Sequence, residues 1–350
     1  MAVHLRRALG ALFAGLLLLL PHLAAAQPIP TIIAAPPDRL RVIFCGTSGP
    51  LPVAGRAKPC VAVQAGNALY LVDAGPESVE NLMLWRLPLA QIRAVFLTHL
   101  HSDHIGDVGE LNLQSWVSGR VTPLPLVGPA GVDKLAEGLN LAYEADHRYR
   151  KAHHEHGAFR FDLDAGRLRP QTLRLPPPSA TGLSSAIAWR EGGLTVTAIK
   201  VAHEPVEPAV AYLFEYKGRS VVISGDTRKW EPLAEASRGV DVMIHEAQNP
   251  DMTRQLSQAL AGMGNGRMSS LMTDTLTYHT TPVEAAELAR LAGAKRLVLY
   301  HLTQAGLPFF TPEAFTHGMD AGGPLDWRLA FDGMTIDLPA ESDAIEFGKF

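Results

Sequence analysis

Residues 98–104, Thr98-His99-Leu100-His101-Ser102-Asp103-His104, decide how this chain is read. The apolar run Ala94-Val95-Phe96-Leu97 before them reads as a buried strand, and 105–116 after them reads as a helix. Three imidazoles and a carboxylate therefore sit where a strand hands over to a helix. Imidazole is the commonest protein ligand for a metal, and a carboxylate adds an anionic oxygen suited to a divalent ion. His99 and His101 stand two apart, so in extended backbone they share a side. Asp103 and His104 follow as the chain turns and can serve a second point nearby. An N-cap role would explain Asp103, but not four ligand-type residues in six positions.

Outward from this stretch, other strand-like runs end in the same residue types. The alternating run 194–201 ends at Ala202-His203-Glu204. The run 209–216 and the run 219–223 form a hairpin around Lys217-Gly218, and the second ends in Ser224-Gly225-Asp226-Thr227. The run 240–244 is followed by His245-Glu246-Ala247, and 296–300 by His301. Counted with the first, five strand ends deliver ligand or carboxylate chemistry, which is expected to converge on one sheet edge. Between them, Tyr278-His279-Thr280-Thr281-Pro282 precedes a run with helical apolar spacing. Thr280 or Thr281 is expected to cap that helix, with Pro282 at its first position. Residues 248–277 read as an insertion or a mobile flap over a site.

The other end of the chain reads differently. Arg6 and Arg7, the apolar stretch 8–20 and Ala24-Ala25-Ala26 form a signal-peptide pattern over 1–26, implying a periplasmic or secreted protein. A Pro- and Ala-rich arm at 27–39, one large α/β domain at 40–340 and a tail at 341–350 complete the expected plan. No later segment is apolar and long enough to span a bilayer. The chain has 31 basic and 35 acidic residues, and net charge falls from −4 to −6 without the first 26. That balance argues against a large nucleic-acid footprint, though a local basic patch is compatible with it. Cys45 and Cys60 are the only cysteines. They form either one bridge or two separate buried thiols, and not a disulfide scaffold. The His- and Arg-rich segment 146–156 is either a charged helix at a cleft mouth or a solvated surface helix. Its His153, His154 and His156 lack the spacing that pairs ligands on one helix face.

Taken together, the motifs resemble those of the metallo-β-lactamase superfamily, whose HxHxDH signature residues 99–104 match. The resemblance covers most of 40–337 in the family's order. It implies an α/β fold: an αββα sandwich of two mixed β-sheets flanked by helices. It also implies two divalent metal ions per chain, zinc ahead of manganese or iron. By the same resemblance His99, His101 and His203 would hold one ion, Asp103, His104 and His301 the other, and Asp226 would bridge. Five neutral imidazoles and two carboxylates leave about two positive charges on such a pair, which suits a bound hydroxide and an anionic substrate.

Glu246 after a strand and His279 before a helix resemble features of the ribonuclease Z-like subgroup. The pair implies catalytic roles for Glu246 and His279 beside Asp103, His279 donating a proton to a leaving oxygen. The opening Gly46-Thr47-Ser48-Gly49-Pro50 resembles that of ribonuclease Z-like and arylsulfatase-like members, and the Tyr143, Asp146, Arg150 pattern is similar to a feature of periplasmic arylsulfatase-like members. The resemblance to exported members thus implies a metal-dependent hydrolase of a small anionic ester, a sulfate ester or phosphodiester, with no stable nucleic-acid partner. A lactonase or other carboxylic-ester or amide hydrolase is the alternative, and a non-catalytic metal-binding scaffold the reading from a different class. Related proteins are often homodimers, and that state is left open here.

Overall fold

The computed structural model describes residues 38–158 and 160–350. The expected signal peptide at 1–26 and nearly all of the arm at 27–39 lie outside the described residues.

Six strands come first: β1 (Arg39–Gly46), β2 (Cys60–Ala65), β3 (Ala68–Val72), β4 (Ile92–Phe96), β5 (Leu124–Gly128) and β6 (Leu168–Thr172). Seven more follow: β7 (Ser185–Glu191), β8 (Leu194–His203), β9 (Val206–Tyr216), β10 (Arg219–Ile223), β11 (Val242–Ala247), β12 (Arg296–Leu302) and β13 (Trp327–Leu329). The chain ends in β14 (Met334–Pro339) and β15 (Glu346–Lys349). One sheet has the order β15-β14-β1-β2-β3-β4-β5-β6, the other β13-β12-β11-β10-β9-β8-β7. The last ten residues, expected as a tail, therefore include an edge strand.

Helices α1 (Ser78–Leu84), α2 (Ser102–Ile105), α3 (Val108–Val117), α4 (Val132–Ala142) and α5 (Glu144–His153) belong to the first half. Helices α6 (Glu231–Ala236), α7 (Pro250–Gly262), α8 (Gly266–Thr275), α9 (Pro282–Ala292) and α10 (Pro312–Phe315) belong to the second. The helix expected at 105–116 is thus two helices, broken at Gly106-Asp107. Thr281 caps α9 and exchanges hydrogen bonds with Glu284, with Pro282 at the first position as expected.

The strand period of two explains the layering. Val42 and Phe44 of β1 join Val63, Tyr70 and Phe96 in a core shared with Val196, Tyr212, Phe214 and Ile244 of the other sheet. Ile43 and Cys45, one residue out of phase, face away and pack with Val79, Leu82, Leu111 and Ala136 of the helices. Met243, Leu297 and Leu299 do the same on the far side, against Leu233, Ala285 and Leu288. Strands buried on both faces read as continuous apolar runs, which is why 94–97 and 242–244 lack polar alternation. The result is the two-sheet sandwich flanked by helices that the motifs implied. Cys45 and Cys60 form a disulfide between β1 and β2, so of the two readings the bridge holds.

Two hydrogen bonds lock the sheets together beneath the His-rich stretch. The Tyr212 hydroxyl donates to the Leu97 carbonyl at 2.8 Å, and the Val210 amide to the Thr98 carbonyl at 2.9 Å. Pairs β3–β4, β4–β5, β10–β11 and β11–β12 are parallel, so their C-terminal ends lie side by side. In such sheets ligands bind beyond the carboxyl ends of the strands.

Candidate metal centre and its acid–base pair

The turn after β4 and the turn after β10 meet closely. Gly225 has φ +61°, and a Cβ there would lie 2.7 Å from Thr98 Cβ. Only glycine allows both that backbone and that approach, and the approach carries Asp226 up to the histidines. The ligand atoms of His99, His101, His203 and Asp226 all lie within 4.8 Å of one another, as do those of Asp103, His104 and His301. Asp226 joins the two groups. Its Oδ1 lies 3.4 Å from both His104 Nε2 and His301 Nε2, and its Oδ2 lies 4.0 Å from His99 Nε2. All seven expected metal ligands are thus brought together, in the two groups the motifs implied.

The donor set fits divalent ions on three counts. His104 Nε2, His203 Nε2 and Asp226 Oδ1 are buried and have no hydrogen-bond partner, although buried polar atoms normally find one. The imidazoles are oriented from behind, as metal ligands usually are. His104 donates its Nδ1–H to Asp73 at 2.7 Å, and His203 its Nδ1–H to the Tyr278 carbonyl at 3.1 Å, which turns each Nε2 inward. Third, burial and the crowding of neighbouring imidazoles push the pKa of His99 well below its usual value, and burial lowers His101 and His203. Neutral imidazole is the ligand form. His104 departs from this pattern: burial opposes its charging, but Asp226 and Asp73 outweigh burial and raise it well above the usual range. Those same carboxylates favour a cation at this position, whether a proton or a metal ion. Asp226 itself is held far below the usual carboxylate range, because His301 and His104 outweigh its burial.

Beside this cluster, Glu246 is fully buried at the end of β11. Its Oε1 accepts from the Thr227 amide at 3.1 Å and the Thr280 amide at 3.2 Å, and it lies 3.0 Å from His279 Nδ1. Burial opposes a charge on His279, yet Glu246 overrides it and lifts the pKa to about 9. The expected pair therefore exists, with a protonated imidazole at neutral pH. A ring nitrogen of His279 also lies within 4.8 Å of the candidate ligand atoms of Asp226 and His301, so the pair stands beside the Asp103, His104 and His301 group.

Asp73 was not singled out by sequence. Its Oδ1 accepts from the Thr98 amide and its Oδ2 from the Thr98 hydroxyl, each at 2.8 Å, besides holding His104. Its signal was the same as for the other site residues: a carboxylate at a strand end, in Val72-Asp73-Ala74-Gly75. Gly75, two residues on, gives the stretch the look of a loop. Asp73→Asn is expected to weaken metal binding by about 10- to 100-fold, because His104 loses its anionic anchor while the amide oxygen can still accept from the Thr98 backbone N–H. Zinc competition against a chromogenic chelator checks this; unchanged affinity would contradict the anchoring role.

Elsewhere the site differs from expectation. Residues 248–277, read as an insertion or flap, are the hairpin of α7 and α8. No residue of α5 lines the cavity at the metal cluster. Asp146 and Arg150, expected as part of an arylsulfatase-like pattern, pair with each other along α5 at 2.7 Å. His153, His154 and His156 join no metal-binding group among the described residues.

Comparison with known proteins agrees with this geometry. Residues 69–302 match the family model described as beta-lactamase superfamily domain. The chain is 32% identical over 270 residues to "Ribonuclease Z" of Mycobacterium bovis, covering 76% of this chain and 87% of that protein. Among solved structures, the metallo-beta-lactamase fold protein YhfI from Bacillus subtilis superposes with a TM-score of 0.62 at 21% identity, over 86% of this chain and all of that one. The short form of human tRNase Z superposes with a TM-score of 0.60 at 22% identity, over 85% and 99%. Relatives named for action on RNA overturn the expectation of a small anionic ester substrate without a nucleic-acid partner. The physical reason lies in what net charge measures. It sums the whole surface, whereas phosphate recognition depends on the local field at the site.

Proposed function

This chain belongs to the metallo-β-lactamase superfamily and is ribonuclease Z-like, and from that premise we propose a hydrolase that cleaves phosphodiester bonds of RNA at a two-metal centre, with zinc as the resident ion. The observation that carries the proposal is Asp226, whose two oxygens face two separate ligand groups. When bound, two such ions activate water and stabilise the charge that develops on attacking and leaving oxygens.

The chain's own residues supply the rest. His99, His101 and His203 hold one side of the centre, and Asp103, His104 and His301 the other. Glu246, itself fixed by two backbone amides, fixes the ring of His279. His279 carries a proton at neutral pH and stands in the cavity that contains Asp103 and Asp226. It would donate that proton to the leaving oxygen, a contribution of about 10²- to 10⁴-fold. His301 has φ +50°. Such backbone strain persists where the surroundings over-determine a residue, as at a site needing one fixed geometry.

A sulfate ester presents a similar tetrahedral monoanion, and the relatives' names favour the phosphodiester. The Cys45–Cys60 disulfide supports export, because such bonds persist in oxidising compartments. The test is cleavage of a short single-stranded RNA against hydrolysis of an aryl sulfate by zinc-reconstituted protein. RNA cleavage that dominates is the expected result. Turnover of the sulfate with intact RNA would sink the proposal.

A further inference from the structure

The cavity of about 470 Å³ at the metal cluster has chemistry the mechanism leaves unused. Besides Asp103, Asp226 and His279 it is lined by Leu256 of α7, by Leu271 and Met272 of α8, and by Leu51 of the loop between β1 and β2. Tyr278 adds an aromatic face. Its ring lies tilted against His279 with centroids 4.9 Å apart and edge-on to His203 at 5.3 Å. A purely anionic ester would need none of these groups.

The apolar wall is held in place by hydrogen bonds. The Ser257 hydroxyl reaches the Ser269 carbonyl at 2.9 Å and lies 3.0 Å from the Thr273 hydroxyl, bolting α7 to α8. Gln248 donates to Thr275 at 2.8 Å and Gln304 to Thr253 at 2.7 Å, which ties the hairpin to the strand ends that carry the site. On the β1–β2 loop, the buried Lys58 ammonium donates to the Leu51 carbonyl at 2.7 Å. A preformed wall binds without an ordering cost. Leu271 is nonetheless 44% exposed, so apolar surface at the cavity is left for something else to cover.

Resting on the ribonuclease reading above, we infer that this wall is a base subsite. It takes the nucleobase of a nucleotide at the scissile phosphate, against Leu271, Met272 and the ring of Tyr278. A cavity of this size suits a small ligand, and so one nucleotide rather than a duplex. Bases splayed from single-stranded RNA are recognised by stacking on such faces. Thr303 lines the same cavity, and its buried hydroxyl has no hydrogen-bond partner. RNA would thus enter as a single strand, positioned by one base before cleavage.

The test is calorimetric binding of adenosine monophosphate and of ribose 5-phosphate to zinc-loaded protein, which needs no turnover. The nucleotide is expected to bind about tenfold more tightly. Leu271→Ser, at an exposed helix position, should shrink that gap while leaving ribose 5-phosphate unchanged, and Leu256→Ser should do the same. Equal affinities in the unmodified protein, or a gap that survives both substitutions, would overturn the subsite. RNA cleavage with equal affinities removes the subsite alone. A base-dependent gap without RNA cleavage supports the subsite and removes the ribonuclease reading.

Discussion

Asp226→Ala is expected to bind fewer than two metal ions per chain and to lose on the order of 10³-fold in kcat, with the fold intact. The size follows from the role. Two-metal stabilisation of a displacement supplies several kcal/mol, and about 1.4 kcal/mol is tenfold in rate. Asp226 is the one carboxylate that reaches both ligand groups, and no other described side chain replaces it. The fold should survive because Asp226 Oδ1 has no hydrogen-bond partner to lose, and the backbone turn is set by Gly225 against Thr98. Metal content by elemental mass spectrometry, with circular dichroism for the fold, reads both halves. Full activity in this variant would show that the bridge is wrong.

His279→Ala is expected to lower kcat by about 10²- to 10³-fold while leaving metal content unchanged. Its pH profile distinguishes it from a structural defect. Glu246 raises the pKa of His279 to about 9, so the proton is present at neutral pH and lost as pH rises through that value. Activity should therefore carry an alkaline limb. Nearby bound cations oppose the imidazolium and move the limb below 9. The limb should vanish in His279→Ala and shift further down in Glu246→Gln, where the ring keeps its place but loses its anionic partner. An alkaline limb unchanged in His279→Ala would assign it to another group.

The central site was legible because its residues obey one rule: ligand types at strand ends. His203, Asp226 and His301 were found that way, each far from the first motif in sequence. Asp73 obeys the same rule but hid in a turn-like context. The two sheets were legible largely from apolar runs, and β6 and β7 were missed because they lack them. β6 carries Pro170 and is exposed along most of its length, while β7 has a single buried residue. Both sit at sheet edges, where one flank is unpaired and weak apolar patterning suffices. The α7–α8 wall was illegible for another reason. It is secured by Ser, Thr and Gln hydrogen bonds across 12 to 51 residues of sequence, which no local pattern displays. The nucleic-acid partner was misjudged because whole-chain charge stood in for the chemistry of one cavity.

The most direct test of the two-metal account is zinc stoichiometry of protein stripped with chelator and then titrated with zinc. The account predicts two ions per chain, with hydrolysis appearing as the second is taken up. Saturation at one ion with full activity, or activity in protein that binds none, would contradict it.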